Sequence, residues 1–269
     1  MAASGTLKAG LRHASKWVFA VADFPFTPRP GPRILIYHQI AAGMGRQMEV
    51  SREAFEYQLG WLLDNGSIVT LDEALERAGE PESHKLFVLT FDDGYRDVYE
   101  QAFPLLREAE VPFLVYVTTG PVEAGRGEDE EGRDAPLSWQ QLTSMAGAGA
   151  TIGSHTHTHP DLRRLSHSEI ERELEESDAL IMRNLGIKSE HFCYPYGYWS
   201  EAAHPLVADR YRTATLGGGP AVTAATDPHL IHRVPIQLSD TKLFFKRKMT
   251  SGMVLEEKVR RRISGYQGI

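Results

Sequence analysis

One stretch of this chain, Leu86 to Tyr95, constrains its fold more than any other. An apolar run of strand length leads directly into two carboxylates and a glycine, Asp92, Asp93 and Gly94. Such a run is typical of a strand that is buried in a parallel sheet. In parallel α/β folds, ligands bind at the carboxyl ends of the strands, where these acids lie. The stretch therefore predicts an α/β fold with a site built around Asp92 and Asp93.

Strand-like and helix-like segments alternate along the rest of the chain. The predicted strands are 33–38, 68–70, 85–90, 112–117, 150–154, 192–197, 211–215 and 230–236. Segments with helical spacing lie between them and begin at cap-forming residues such as Ser51 and Ser138. The polar, acidic stretch 120–136 predicts a surface loop. The alternation predicts a parallel sheet or barrel, and the small number of strands makes an incomplete barrel an option.

The composition excludes several classes of protein. A formal net charge of -7 and a pI near 5.9 argue against an electrostatic nucleic-acid binder. The single cysteine, Cys193, excludes an intrachain disulfide framework. The sequence carries no signal for an oligomeric state.

The first 32 residues differ in character from the rest and predict an N-terminal helix followed by a Pro-rich linker. Residues 7–26 mix basic and apolar side chains, so the helix either packs on the domain or lies peripherally on a membrane. Neither a clean signal peptide nor a transmembrane span is evident, which favours a cytoplasmic or membrane-associated location. Residues 33–269 then form the catalytic domain.

Three histidines, His155, His157 and His159, follow another predicted strand. Neutral imidazole is the commonest metal ligand, and a carboxylate completes mixed sites for divalent ions. In an extended segment all three would share a face, whereas in a helical turn only His155 and His159 would do so. Asp92 or Asp93 would complete a set of two histidines and one acid with open positions, which is typical of a catalytic site.

The two aspartates are predicted to have different roles, because adjacent residues of a strand point to opposite sides. One binds the metal, and the other acts as a general base on a water molecule. Histidine and carboxylate ligands favour zinc, and they also suit cobalt, nickel and manganese. The residues by themselves leave open which aspartate takes which role.

Four segments of the chain resemble the polysaccharide deacetylase family, also called the chitooligosaccharide deacetylase homology domain, which is of the carbohydrate esterase type. They are Ile34 to Ile40, Thr90 to Tyr95, His155 to Pro160 and Phe192 to Gly197. The second and third resemble the first two motifs of that family in content and order. The resemblance implies a distorted, incomplete (β/α) barrel of about seven parallel strands. It also implies a metal-dependent activity that removes N-acetyl groups from amino sugars.

The resemblance assigns roles to individual residues by motif position. It implies that Asp93, His155 and His159 bind the metal and that Asp92 is the general base. It further implies that the backbone N–H of Tyr196 stabilises the oxyanion.

Other positions depart from the family pattern or match it in part. The family commonly has an arginine at the position of Cys193, where it tethers the catalytic aspartate, and we expect Arg233 to replace it. The segment Leu230 to His232 resembles a family motif that supplies a general acid, so His232 is one candidate acid. His38 is the other, and it is also a candidate for substrate binding. Trp139 resembles an aromatic residue that stacks on sugar, although it equally suits a core position.

His232 and Arg233 are not both expected to serve the site, since neighbours on a strand face opposite sides. We therefore predict a metal-dependent hydrolase that removes N-acetyl groups from amino sugars of a polysaccharide, an oligosaccharide or a glycolipid precursor. Its partner would be an N-acylated carbohydrate.

Two alternatives remain at this point. One is a hydrolase of another non-peptide C–N bond, such as an imide or formamide, because the motifs define the chemistry and not the substrate. The other is a catalytically weak carbohydrate-binding protein on the same fold, which the absence of the usual arginine favours. The presence of Asp92 argues against it, because a pure binding site needs no base.

Overall fold

The computed structural model describes residues 30–125 and 134–250 and is built around a curled parallel sheet. The strands are β1 (Arg33–Tyr37), β2 (Gln39–Ile40), β3 (Glu49–Val50), β4 (Ser67–Ile68), β5 (Leu86–Phe91), β6 (Phe113–Val117), β7 (Ala150–Ser154), β8 (His191–Cys193), β9 (Thr213–Thr215) and β10 (Val234–Pro235). Seven of them lie side by side in the order β10-β1-β5-β6-β7-β8-β9, while β4 pairs with the start of β5. Strands β2 and β3 pair separately. The prediction of an incomplete α/β barrel is confirmed.

Helices connect most of the successive parallel strands. They are α1 (Arg52–Asn65), α2 (Leu71–Glu76), α3 (Phe103–Glu108), α4 (Thr119–Glu123), α5 (Trp139–Gly147), α6 (His167–Leu185), α7 (His204–Arg210) and α8 (Lys242–Met249). Predicted caps begin two of them. The Ser51 side chain accepts a hydrogen bond from the Ala54 N–H, and Ser138 forms a reciprocal capping box with Gln141. These side chains satisfy N–H groups that a helix start leaves without partners.

The segment 231–235 links the two ends of the sheet. Ile231 forms a single parallel bridge with Thr215 in β9, and Val234 and Pro235 then pair with β1. The sequence predicted one continuous strand over 230–236, whereas only two of these residues form a regular strand. The chain passes from β9 to β1 within this segment, so it cannot pair with either strand over its whole length.

The core lies on both sides of the sheet, as expected for parallel strands. Leu35, Leu89 and Val115 belong to one buried cluster, whereas Ile34 and Val88 belong to another. Alternate residues along a strand point to opposite faces, so one cluster fills the barrel and the other packs beneath the helices. All six residues of β5 are buried. The strand that carries Asp92 and Asp93 is thus held rigidly from both sides.

Several elements differ from the prediction. The helix after Tyr95 starts as a π-helical turn, Val98–Ala102, and becomes α-helical at Phe103, with Pro104 in its first turn. Proline is tolerated there because the first N–H groups of a helix have no partners. The predicted loop 120–136 begins inside helix α4. Helices α7 and α8 were not predicted.

The predicted N-terminal helix and most of the linker, 1–29, lie outside the described residues, as do 126–133 and 251–269. No described helix has the length and apolar character needed to cross a bilayer.

Candidate active site

Most of the predicted site residues gather at the carboxyl ends of the parallel strands, around a cleft of about 830 Å³. Strands β1, β5 and β7 end immediately before His38, Asp92 and His155. The residues from the sequence prediction that line the cleft are His38, Asp92, Asp93, His155, His159, Tyr196 and Arg233. Parallel strands deliver their carboxyl ends to one edge, so residues remote in sequence meet there.

Asp93, His155 and His159 form a compact triad of potential metal ligands. Oδ1 of Asp93 lies 3.3 Å from Nε2 of His155 and 3.4 Å from Nε2 of His159. One ligand atom from each residue lies within 4.8 Å of the others. Two imidazole nitrogens and one carboxylate oxygen suit a divalent transition metal and leave coordination positions open. The triad therefore fits the metal that the motifs imply.

The tautomer of His155 also fits metal binding. Its Nδ1 lies 2.7 Å from the carbonyl oxygen of Cys193, to which it donates a hydrogen bond. This bond leaves Nε2, the atom that faces Asp93, as the potential ligand. Metal-binding histidines are commonly oriented in this way by a carbonyl or a carboxylate.

A second group, Asp92, His155 and Cys193, also brings three potential ligand atoms within 4.8 Å. It is a poor metal site for an electrostatic reason. The Arg233 guanidinium lies 2.7 Å from both carboxylate oxygens of Asp92 and 3.0 Å from Sγ of Cys193. A cation placed between them would be repelled by this buried charge.

His157 points away from the triad. Its Nδ1 lies 3.2 Å from Oγ1 of Thr119, and its Nε2 lies 3.5 Å from a Glu176 oxygen. The histidine segment adopts neither of the two backbone geometries considered for it. It is an irregular turn with positive φ at Thr156 (66°) and His159 (60°), and this turn brings His155 and His159 together while His157 lies outside the triad.

Glu173 organises the loop that carries the histidines, although sequence reasoning did not identify it. This buried carboxylate accepts hydrogen bonds from the backbone N–H groups of His157 (3.0 Å) and Thr158 (2.7 Å). The side chain of Thr156 accepts another from the His159 N–H at 3.0 Å. Glu173 lies three residues after Ile170, on the apolar face of α6. An acid on that face was the signal that could have revealed it.

Backbone strain is concentrated at this site. The described chain has six non-glycine residues with positive φ, and four of them are Asp93 (71°), Thr156 (66°), His159 (60°) and Tyr196 (59°). Side chains disfavour this left-handed region. Such residues persist where surrounding contacts impose them, and they cluster at functional sites. Here the turns direct the Asp93 and His159 side chains towards each other.

Asp92 is buried and held by Arg233 through two hydrogen bonds of 2.7 Å, one to each carboxylate oxygen. The guanidinium is satisfied on its other sides by the carbonyl of Leu216 (3.0 Å) and the hydroxyl of Thr90 (2.8 Å). Arg233 thus occupies the place expected for the tether, and it directly precedes β10, which only β1 separates from β5 in the sheet. A small residue at 193 leaves room for it.

Burial and charge act in opposite directions on the acids. Burial raises the pKa of Asp92, but the Arg233 charge and hydrogen bonds outweigh it and hold this pKa below its usual value. Burial likewise raises the pKa of Asp93, and the hydrogen bond to His155 and the His38 charge lower it further than burial raises it. Both carboxylates are therefore ionised at neutral pH.

Two histidines are shifted in opposite directions in the metal-free protein. Burial and the neighbouring charge of His155 lower the pKa of His159 to about 4. Burial opposes the charged form of His155, but its interactions with Cys193, its hydrogen bond to Asp93 and the charge of Asp92 raise its pKa above the ordinary value. A proton on His155 thus occupies the position next to Asp93 that a metal would take, so metal binding would release it.

Two further groups expected at the site lie at the cleft. His38 lines it, and its Nδ1 is buried without a hydrogen-bond partner among the described residues. The backbone N–H of Tyr196 makes no hydrogen bond within the described part of the chain.

The structure does not bring His232 or Trp139 into the cleft. The ring of His232 packs against Gly219, so closely that a Cβ there would lie 2.0 Å from its Nδ1. It lies on the opposite side of the segment from Arg233, as strand alternation predicts. The indole N–H of Trp139 donates to Glu123 at 3.0 Å, and its ring packs against the core. Trp139 is therefore partly buried against the core, which favours the core alternative considered for it over sugar stacking in the cleft.

Comparison with known proteins places this arrangement in a family. Residues 79–211 match the family model described as "Polysaccharide deacetylase". The Poly-beta-1,6-N-acetyl-D-glucosamine N-deacetylase of Staphylococcus aureus is 28% identical over 177 residues, which are 60% of this chain and 58% of that protein. The chain thus spans less than two thirds of the length of that curated relative.

Two solved structures resemble the fold over most of the chain. The Streptococcus pyogenes deacetylase PplD, in complex with acetate, is 25% identical and superposes with a TM-score of 0.70. The match covers 83% of this chain and 99% of PplD. IcaB from Ammonifex degensii is 26% identical with a TM-score of 0.67, covering 82% of this chain and 97% of its own.

Proposed function

Since this chain belongs to the polysaccharide deacetylase family, we propose that it is a metal-dependent hydrolase that removes N-acetyl groups from the amino sugars of a carbohydrate. The observation that carries the proposal is the convergence of Asp93, His155 and His159 beside a second carboxylate, Asp92, that no metal-binding role requires. We propose zinc as the metal, because two imidazoles and one carboxylate with open positions are a common catalytic zinc set. Such a metal polarises an acyl carbonyl and lowers the pKa of a water molecule.

The protein groups around the triad have complementary roles in this reaction. Asp92 accepts a proton from the attacking water, and its ionised state, maintained by Arg233, prepares it for that role. The unpaired N–H of Tyr196 donates to the oxyanion that develops on the acyl oxygen. The C–N bond then breaks, and the products are acetate and a free amine.

We propose His38 as the general acid that protonates the leaving amine. It lines the same cleft as Asp92 and Asp93, at the end of β1, and its Nδ1 is buried without a hydrogen-bond partner among the described residues. His232 packs against Gly219 outside the cleft lining and is the weaker candidate.

The presence of Arg233 at Asp92 also bears on the alternative of a catalytically weak binding protein. That alternative rested on the missing arginine at position 193, and a guanidinium from Arg233, the residue before β10, pairs with Asp92 instead. Acetate, which occupies the PplD structure, is the product expected of the proposed reaction.

The proposal is tested by acetate release from N-acetylglucosamine oligosaccharides in the presence of zinc, together with metal analysis. Asp92→Asn should lower turnover by about 10³-fold because it removes the base, while metal content stays unchanged. Asp93→Asn should lose the metal. Asp97→Asn, at a partly buried acid outside the cleft lining, is the matched control and should keep wild-type turnover. Acetate release that survives Asp92→Asn would refute the mechanism.

A further inference from the structure

Helix α6 supplies no ligand to the metal-ligand triad, yet its apolar face carries two buried polar side chains, Glu173 and Ser177. Glu173 is 8% exposed and Ser177 is fully buried. The two lie four residues apart, so they share one face of the helix with the core residues Ile170 and Leu174. Burial of a polar group costs free energy unless the group has partners. The partners of these two side chains therefore indicate their role.

Both side chains contact the histidine segment, one on each side of His155 in the sequence. Oγ of Ser177 lies 2.8 Å from Oγ of Ser154, the residue before His155. Besides the two backbone N–H groups of the turn, Glu173 accepts a hydrogen bond from the Thr158 hydroxyl at 2.6 Å. Helix α6 thus holds the segment both before and after this potential metal ligand.

Helix α4 contacts the same turn through its own backbone. The N–H of Thr119 donates to the carbonyl oxygen of Thr156 at 3.2 Å, and the N–H of Gly120 donates to that of His157 at 2.7 Å. A Cβ on residue 120 would lie 2.7 Å from the His157 oxygen, so the close approach requires glycine there. The peptide groups of the turn are therefore satisfied largely by other elements of the fold.

The turn needs these outside contacts because its backbone is strained. Thr156 and His159 both have positive φ, which side chains disfavour. Such conformations persist where the surrounding structure imposes them. If the contacts with Glu173 were lost, the turn would be free to relax. Nε2 of His159 would then leave its place 3.4 Å from Oδ1 of Asp93.

The hydrogen bonds to Glu173 can be separated from the packing of its side chain. Both N–H groups donate to Oε2, while the Thr158 hydroxyl donates to Oε1. A glutamine keeps one oxygen for both N–H groups, and its amide can donate to the Thr158 hydroxyl instead. A methionine is of similar length but has only a weak acceptor, so it leaves both N–H groups buried without partners.

We propose that Glu173 is a positioning residue for the metal. Through the turn 156–159 it holds His159 beside Asp93, and it thereby sets the metal affinity of the triad. Ser177 acts in the same way, and more weakly, on the strand end that carries His155. Helix α6 is then part of the metal site although it binds no metal itself. This inference rests on the proposed function, since it requires the triad to bind a metal.

The test is the dissociation constant of zinc, measured on the full chain by competition with a chromophoric chelator. Glu173→Met should raise this constant about tenfold, the lower end of the effect of groups that orient metal ligands. Ser177→Ala should raise it by less. Glu173→Gln should bind zinc almost as tightly as wild type, because the acceptor of both N–H groups is kept. At saturating zinc, Glu173→Met should recover most of its turnover, since the triad itself is intact.

Two further measurements distinguish positioning from a general loss of stability. The visible absorption of the Co²⁺-bound protein reports the geometry of the ligands, and its bands should change in Glu173→Met but not in Glu173→Gln. Glu176→Gln is the matched control. Glu176 lies on the same helix with Oε2 3.5 Å from Nε2 of His157, but it accepts no hydrogen bond from the described backbone of the turn. Its zinc dissociation constant should equal that of wild type.

The outcomes separate the two proposals. If the wild type binds no zinc, the proposed function fails and the positioning role fails with it. If the wild type binds zinc and Glu173→Met binds it equally tightly, only the positioning role is overturned. A loss of affinity in Glu176→Gln as large as that in Glu173→Met would overturn it as well.

A milder variant serves if Glu173→Met does not fold. Thr158→Val removes only the hydroxyl that donates to Glu173, and it should raise the zinc dissociation constant about threefold. Thr158→Ser keeps the hydroxyl and should restore the wild-type value. Equal zinc affinity in Thr158→Val and wild type would then overturn the positioning role.

Discussion

Two buried arginines lie at opposite ends of the barrel and have different partners. Arg233, beside the carboxyl ends of the strands, forms a bidentate ion pair with the Asp92 carboxylate. Arg33, at the amino end of β1, donates to backbone carbonyl oxygens. These belong to Pro30 (3.2 Å), Gly31 (2.7 Å), Met249 (3.1 Å) and Thr250 (2.8 Å).

The difference shows two uses of a buried guanidinium. The five N–H donors of a guanidinium lie in one plane and can be satisfied by backbone carbonyl oxygens. Arg33 thereby connects the end of α8 to the first strand of the sheet. Arg233 uses the same donors to control the ionisation and orientation of one acid. The first arrangement stabilises the fold, whereas the second tunes a reactive group. Substitutions at the two positions should therefore separate stability from activity.

The largest effect is expected for Arg233→Met. Without the guanidinium, burial is the dominant influence on Asp92 and raises its pKa, so the base stays protonated to higher pH. Turnover at neutral pH should fall about a hundredfold, and the acidic limb of the pH–rate profile should move to higher pH. Arg233→Lys keeps the positive charge but cannot form the bidentate pair, so the acidic limb of its pH–rate profile should move by a smaller amount. An acidic limb in the same place for Arg233→Met and wild type would contradict this account.

The same pair predicts a pH effect on folding. The pKa of Asp92 is lower in the folded state than its ordinary value, so its ionised form contributes stability above a pH of about 4, and this contribution is lost as the pH falls further. Arg233→Met lacks the contribution. Its stability deficit relative to wild type should therefore shrink on acidification, as measured by urea unfolding at several pH values.

A smaller and different effect is expected for Arg33→Met. The substitution leaves several buried carbonyl groups without donors, which should lower the free energy of unfolding by about 3 kcal/mol. The turnover of the folded fraction should equal that of wild type, because Arg33 lies at the opposite end of the strands from the triad. Urea unfolding and active-site-normalised turnover measure the two quantities. A pH–rate profile of Arg33→Met that differs from that of wild type would contradict the proposed distinction between the two arginines.

The smallest effect concerns Asp97, a partly buried acid without an arginine. Burial raises its pKa to about 7, although the N–H of Ile40 donates to Oδ1 at 3.1 Å. Its Oδ2 is buried without a hydrogen-bond partner in the described part of the chain. Because this pKa is raised in the folded state, stability is lost as the pH rises from the unfolded value of about 4 towards 7.

Asp97→Asn avoids that loss, since the amide stays neutral. It should raise the free energy of unfolding by about 1 kcal/mol at pH 8 and have no such benefit at pH 4. Thermal unfolding at both pH values is the measurement. A gain of equal size at pH 4 and pH 8 would show that ionisation of Asp97 is not its cause.

Much of the fold and the triad could be predicted because the signals are local. The apolar run of β5 defines a buried strand, and the two aspartates directly after it must lie at the sheet edge. The spacing of His155 and His159 is equally local, although only the resemblance chose that pair over a set that includes His157. Long segments such as α6 carry strong periodicity, whereas α7 and the segment 231–235 depend on packing against the finished sheet.

The sequence by itself determined the class of the fold, the strand that carries Asp92 and Asp93, and the ligand types available for a metal. The tertiary structure decided which distant groups meet. Arg233 reaches Asp92 across 141 positions of sequence, Trp139 turns to Glu123, and Tyr196 and Tyr198 come to line the cleft. The physical reason is that periodicity reports the faces of single elements, while the partner of a buried charge depends on how the curled sheet brings its end strands together.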